Sequence, residues 1–323
     1  MRALAEWLYE DGIGETRAIL VENGAIIEAR VELPGLRSGT VIDAKLTRIL
    51  IPGKRGLATL NDGAEVLIEP LTHATEGALI RVEIMREAIA ETGAMKRAKG
   101  RIFDGDLLNG PGLVQRIGAH HALEHYGPDL FEEAGWSECL ETAASGVVGF
   151  PGGAIRITLT PAMTLIDVDG NLSAEALALA GAKASAAAIR CFDISGNIGI
   201  DLPTVATKSA RQAIADVFDS VLPRPYERTG VNGFGFLQII CRRIRPSTIE
   251  IVQQNPILAA ARGVLRRAQR SRLTGSITIR ANPTTISAID LNKAWLARLS
   301  YQLGGQVILE PDASLSLEAS SIR

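Results

Sequence analysis

Apolar and polar residues alternate over residues 18–33 in two runs, AILVEN and GAIIEARVEL, joined at Asn23-Gly24. A period of two marks a half-buried strand, and Asn-Gly is a favoured dipeptide of tight hairpin turns. Residues 34–40 are rich in Gly, Pro and Ser and read as a domain junction. Short apolar runs follow at 41–50, 56–60, 64–68 and 79–85, separated by Gly, Pro or Asn-Asp-Gly turns. Short strands at such close spacing predict a small closed barrel.

The second half changes period. Residues 113–125 and 129–144 carry helical spacings. Two strand candidates, 154–159 and 163–168, are divided by Thr-Pro-Ala. A helix is expected over 172–190, with Ser173 and Glu175 at its start, then a strand over 197–201 and a helix over 204–221 behind Pro203. Strand–helix–strand–helix implies an α/β core with a partly parallel sheet. A loop over 223–235 leads to a strand at 236–241. The end of the chain reads strand (276–279), helix (285–303), strand (306–309), a small α/β unit. The expected organisation is α/β, α+β overall, in four segments: 1–35, 36–101, 102–245 and 246–323.

Bulk composition narrows the class. The chain has 323 residues, is 46% apolar and 22% charged, and carries a net charge of −2, as ordinary globular proteins do. Cys139, Cys191 and Cys241 are far apart and form no CxxC pair, so neither a disulfide framework nor a zinc knuckle is expected. The N-terminus has acids where a signal peptide is apolar, and no window could span a bilayer, so a cytoplasmic protein is expected. Charge distribution says more than its sum. Lys96, Arg97, Lys99 and Arg101 cluster after the barrel segment. Residues 241–272 hold eight arginines against one acid, Glu250, and Arg262, Arg266 and Arg270 would stripe one helix face. Such a stripe is the footprint of a polyanion binder.

The chemistry centres on residues 154–170, AIRITLTPAMTLIDVDG. In an unbroken strand Asp167 and Asp169 share a face. A third acid, Asp201, ends the strand at 197–201. Carboxylates at strand ends are divalent-metal ligands in waiting, and ionised groups beside apolar strands are costly unless paired or metal-bound. The competing reading of DVDG is a plain Asp-Gly turn. A calcium loop is excluded because Leu172 stands where its glycine is required. His121-Ala-Leu-Glu124-His125 fits the H-x-x-E-H pattern of a zinc peptidase class, but Gly127-Pro128 ends any helix there and no third ligand can be named. Packed or surface histidines are expected instead.

Several of these segments carry a family resemblance. GGAIRITLTPAMTLIDVDG, GNIGIDLP and NGFGFLQIICRR resemble the catalytic core of the ribonuclease E/G family. GETRAILVENGAIIEARVE resembles its opening hairpin, GTVIDAKLTRILIPGKRGLATLNDGAEVLIEP its S1 barrel, and ETGAMKRAK the basic stretch after the barrel, all in the family's order. The resemblance implies an RNase H-like/DNase I-like core interrupted by an S1 (OB-fold) barrel. It implies Mg²⁺, with Mn²⁺ as a substitute, on Asp167 and Asp201, and catalytic Asp167, Asp169 and Asp201. It places Lys96 at the family's basic RNA contact, and the basic clusters add Arg97, Lys99, Arg242 and Arg243 as expected contacts to single-stranded RNA. The activity implied is endoribonucleolytic hydrolysis leaving a 5′-phosphate, in RNA processing or decay.

The departures are specific. Asp169 stands where the family has Asn, Gly233 where it has Arg before Phe-Gly, and Thr59 and Ile68 where it has stacking aromatics. The Arg-Thr element that reads a 5′-monophosphate and the cysteines of the zinc link have no match. Neither end sensing nor zinc is therefore expected, and any homo-oligomer would not be zinc-linked. Two alternatives remain open: a non-catalytic or weakly active RNA-binding relative, and, more remotely, an α/β phosphohydrolase acting on mononucleotides.

Overall fold

The computed structural model describes residues 5–91 and 93–323. In chain order the strands before the first helix are β1 (Glu6–Asp11), β2 (Thr16–Glu22), β3 (Ala25–Glu32), β4 (Val41–Ile51), β5 (Arg55–Thr59), β6 (Glu65–Ile68), β7 (Leu79–Arg86), β8 (Ile89–Glu91), β9 (Ala94–Lys96) and β10 (Ala98–Ile102). Then come α1 (Leu113–Ile117), β11 (His121–Ala122), α2 (Leu130–Glu133), α3 (Trp136–Ser145), β12 (Val147–Phe150), β13 (Gly153–Leu159), β14 (Thr164–Gly170), α4 (Ala174–Cys191), β15 (Gly196–Asp201) and α5 (Lys208–Val221). The chain closes with β16 (Glu227–Arg228), β17 (Phe236–Cys241), α6 (Thr248–Gln253), α7 (Pro256–Arg270), β18 (Ile277–Ala281), α8 (Pro283–Leu291), α9 (Lys293–Leu303), β19 (Val307–Pro311) and β20 (Ser320–Ile322). These elements form two compact units. One comprises 1–34, 117–144 and 251–323, the other 35–116 and 145–250.

The second unit contains the barrel. Strands β10-β6-β5-β4-β7 close on themselves around Leu46, Ile68, Val82 and Ile84. Closure is completed by β10, which runs parallel to β6 and antiparallel to β7. A closed five-stranded barrel is compatible with an OB-like architecture. Gly56 and Gly100 are needed inside it, because a Cβ at either would collide with neighbouring core side chains. Ile68, at an expected stacking position, is wholly buried in this core, and Thr59 meets the Thr47 hydroxyl at 3.2 Å. Neither position offers a face to a base.

The same unit holds a six-stranded sheet in the order β12-β13-β14-β15-β17-β16. Only β14 and β15 are parallel, as α4 between them requires; the other pairs are antiparallel. One face buries Ile155, Ile157, Ile166, Val168, Ile198 and Ile200. The Ala-rich helix α4 packs against this sheet closely enough that a Cβ at Gly181 would strike Val168. Asp219 on α5 pins the loop that follows. It accepts from Tyr226 Oη at 2.6 Å and from Arg228 Nε and Nη2 at 2.7 Å each. Arg228 chiefly holds the Asp219 carboxyl down at about 2.

The first unit places the expected hairpin, β2–β3, in a four-stranded sheet β11-β1-β2-β3. Asn23 and Gly24 both have positive φ, as a type I′ turn demands. Several helical expectations need correction. The helix expected over 113–125 ends at Ile117, where Gly118 takes φ 71°, and His121–Ala122 instead forms a parallel strand beside Leu8 and Tyr9. HALEH is therefore not a helical pair. Gly135, at φ 91°, divides the helix expected over 129–144, and Asn292 divides that over 285–303 by donating to the Ala288 carbonyl.

The arginine stripe is the largest correction. Arg262, Arg266 and Arg270 do lie along one face of α7, but that face is turned inward. Arg266 donates to Glu10 at 3.1 Å and to Asp129, Arg270 to Glu10 at 2.6 Å, and Arg262 to Glu15 at 2.7 Å. Arg17, wholly buried, completes the cluster against Glu10 and Glu15. Glu10 itself is 1% exposed. Burial pushes its carboxyl up, but Arg17, Arg266 and Arg270 together hold it below its ordinary value. The stripe is a buried ionic core and not a polyanion-binding face.

Removing one partner of a buried ion pair leaves an uncompensated charge, at a cost of about 3–5 kcal/mol. Glu10→Ala is expected to destabilise this unit by that amount in denaturant unfolding. Lys293→Ala, which breaks an exposed pair with Asp290, should cost about 0–1 kcal/mol. Equal costs would contradict the buried-core assignment.

Acid should also weaken the unit. Burial keeps the folded His125 ring neutral below its ordinary value, whereas the unfolded ring binds a proton near about 6.5. The unfolded state thus holds more protons, and stability falls as pH drops below about 6.5. Glu10, whose folded carboxyl resists protonation, adds a second loss below the usual carboxylate range. Thermal melts between pH 8 and pH 4 test this; a flat or rising midpoint on acidification contradicts it.

Candidate functional site

The six-stranded sheet sorts its residues by alternation. On β14, Thr164, Ile166 and Val168 are buried, while Leu165, Asp167 and Asp169 face outward. On β15, Ile198, Gly199 and Ile200 are buried and Asp201 is exposed. Parallel pairing sets Asp167 directly beside Asp201. Antiparallel pairing sets Arg156 of β13 on the other flank of Asp167, and Phe236 of β17 beyond Asp201. A row therefore crosses four strands in the order Arg156, Asp167, Asp201, Phe236. Neighbouring strands are about 4.8 Å apart, so the two carboxylates are held within reach of one ion.

Asp201 ends β15, and Asp167, in the middle of β14, faces it at the last residue pair of the parallel β14–β15 ladder; open α/β sheets gather ligands at the carboxyl ends of their parallel strands. Among the described residues neither the Asp167 nor the Asp201 side chain makes a hydrogen bond or an ion pair with the protein. Like charges directly opposite on a sheet destabilise it unless something neutralises them. Asp169, expected as the third acid, is on the same face but one pleat further along. Its Oδ1 accepts from the Gly170 amide at 2.8 Å. Among the described residues, no group of three or more His, Cys, Asp or Glu is arranged to hold a metal ion. The pair is the unit present here. Mg²⁺ needs only one or two carboxylates, since it keeps several of its waters, so the donor chemistry of the pair fits that ion.

Gly199 shapes the floor beside the acids. A Cβ there would lie 2.5 Å from the Phe236 ring, so the missing side chain lets that ring lie over the sheet. The loop before Phe236 is held as firmly. Asn232 Oδ1 accepts from the amides of Phe234 and Phe236, and the Leu202 amide donates to the Gly235 carbonyl.

Compared with protein-family models and with curated proteins, the chain matches none.

The basic residues expected to hold RNA are mostly committed elsewhere. Lys96 pairs with Glu91 at 3.2 Å, Arg97 with Glu65 at 2.7 Å, and Lys99 with Glu69 at 2.8 Å. Arg243 is paired with Glu250 and lies 3.8 Å from the Glu91 that Lys96 uses. Only Arg242 of these five is exposed and, among the described residues, without such a partner. Position differs from expectation too. The Arg243 side chain lies over Gly196, at the start of β15, whereas Asp201 ends that strand. Five residues of strand separate them by about 16 Å. Lys96, linked to Arg243 through Glu91, belongs to that far end and not beside the acids.

Arg156 is a site residue that sequence reading did not single out. It is exposed, in register with Asp167, and makes no ion pair among the described residues. The only signal was its place in AIRITL, an outward position opposite the buried Ile155 and Ile157.

Because Asp167 and Asp201 repel one another across the ladder, Asp201→Asn is expected to stabilise the metal-free protein by about 0.2–1 kcal/mol. A structural acid would show the reverse. Thermal unfolding in chelator separates the two, and a lower midpoint in the variant would count against an unneutralised pair.

Proposed function

We propose that this protein is a metal-dependent endoribonuclease that hydrolyses single-stranded RNA. The observation that carries the reading is the unpaired, in-register Asp167–Asp201 couple on the exposed face of the sheet. Active sites are where such uncompensated like charges are tolerated. The barrel in the same unit supports a nucleic-acid substrate, since OB-like barrels commonly carry single strands. The finer assignment of the sheet as an RNase H-like core rests on the sequence resemblance and belongs to this proposal.

In this reading Asp167 and Asp201 would hold Mg²⁺ through their carboxylates, and Asp169, on the same face, accepts from the Gly170 amide. A bound Mg²⁺ supplies acidity to a coordinated water and neutralises charge on the phosphate. The reaction is in-line hydrolysis. A water oxygen bonds to phosphorus, the P–O3′ bond breaks, and a proton passes to the leaving 3′ oxygen, giving a 5′-phosphate and a 3′-hydroxyl.

A second reading, an RNA binder without cleavage, rests on the departures in the acidic core: Asp169 stands where the resemblance places Asn, and Gly233 where it places Arg. The deciding experiment is a cleavage assay on a short single-stranded RNA with Mg²⁺, with chelator, and with Asp167→Asn. Cleavage is expected only in the wild type with metal, and Mg²⁺ should raise the melting temperature of the wild type but not of the variant. RNA binding without cleavage under Mg²⁺ or Mn²⁺ establishes the second reading. Unchanged cleavage by Asp167→Asn removes the pair from the reaction.

A further inference from the structure

Arg156 differs from most of the other basic residues. Lys96, Arg97, Lys99 and Arg243 each have an acidic partner, and Arg262, Arg266 and Arg270 are buried in an ionic core. Arg156 is exposed, has no ion-pair partner among the described residues, and lies in the same row as the two acids, next to Asp167. A sheet arginine opposite an aspartate ordinarily forms a cross-strand ion pair. Here the two are register partners and yet no N–O distance falls within ion-pair range among the described residues.

We infer that Arg156 is a catalytic residue whose guanidinium binds the non-bridging oxygens of the scissile phosphate. This inference rests on the endoribonuclease reading and goes beyond it. Three features support it. The guanidinium is always charged and presents a planar fork suited to phosphate, bidentate where geometry allows. Its strand neighbour, Asp167, is one of the two proposed ligands, so a phosphate held at that pair is within the span of a long side chain one strand away. The position is also fixed: Ile155 and Ile157 on either side are buried under the sheet, which leaves β13 no freedom to turn Arg156 away.

The test uses the full chain and two variants, Arg156→Ala and Arg156→Lys, beside Asp167→Asn. With Mg²⁺ and a short single-stranded RNA, Arg156→Ala is expected to lose about 10²–10³-fold in kcat with a smaller change in KM, as loss of an oxyanion-stabilising donor does. Arg156→Lys should recover part of the loss, because it keeps the charge without the fork. A second readout needs no turnover. In the Asp167→Asn background, adding Arg156→Ala should flatten the salt dependence of RNA binding by about 0.7 in log Kd against log salt, the contribution of one phosphate contact on a single strand. If Arg156→Ala keeps kcat within twofold and the salt slope is unchanged, while Asp167→Asn is inactive, the inference is overturned and the endoribonuclease reading survives. If Asp167→Asn also cleaves like wild type, the endoribonuclease reading fails and the role of Arg156 with it.

Discussion

One buried carboxylate constrains much of the first unit. Glu10 is met by three guanidinium groups, from Arg17, Arg266 and Arg270, and the charge left over is balanced by Glu15 and Asp129. Each of these groups loses its hydration on burial, so each is tolerable only while all its partners stay in place. The cluster therefore links the start of the chain to a helix some 256 residues later. Its members cannot be reassigned to a ligand without leaving Glu10 or Glu15 uncompensated. A run of arginines that looks free in sequence is, in the fold, already spent on neutralising acids.

The same contrast explains what the sequence revealed. Local periodicity and turn chemistry are short-range properties, so the Asn23-Gly24 hairpin, the barrel strands and the α4 helix could be read directly. The helix over 113–125 failed because a strand partner outside the window decided it. His121 and Ala122 gain ladder hydrogen bonds from β1, more than a hundred residues earlier, and Gly118 permits the change of direction. The breaks at Gly135 and Asn292 are visible only as single residues within otherwise helical patterns. The inward stripe was hidden for a related reason: the acids that neutralise it, Glu10, Glu15, Asp129 and Glu132, all lie outside the arginine-rich segment 241–272.

The candidate site was legible by residue type and not by arrangement. Asp167 and Asp201 stood out because each closes an apolar run, but that they are register partners depends on β14 and β15 pairing in parallel without offset. A slip of one residue would have turned one acid into the core. Asp169 was grouped with them by its period of two, which is correct for the face it shares and uninformative about its bond to Gly170. Arg156 was invisible because an outward arginine on a strand is ordinary until its neighbours are known.

Pairing separates the residues that build the fold from those left available for chemistry. Lys96, Arg97, Lys99 and Arg243 are individually plausible phosphate contacts, yet each already has a carboxylate nearby, so a polyanion must displace that carboxylate before it gains. Net attraction at those positions is correspondingly small. The acids Asp167 and Asp201 and the base Arg156 have no such partner, although they sit in one row and could in principle have neutralised one another. A row of opposite charges that stays open on a sheet whose other face is well packed is not required by the core behind it. In the proposed reaction its charge would be balanced from outside, by a divalent cation that the two acids would hold and a phosphate that the arginine would meet.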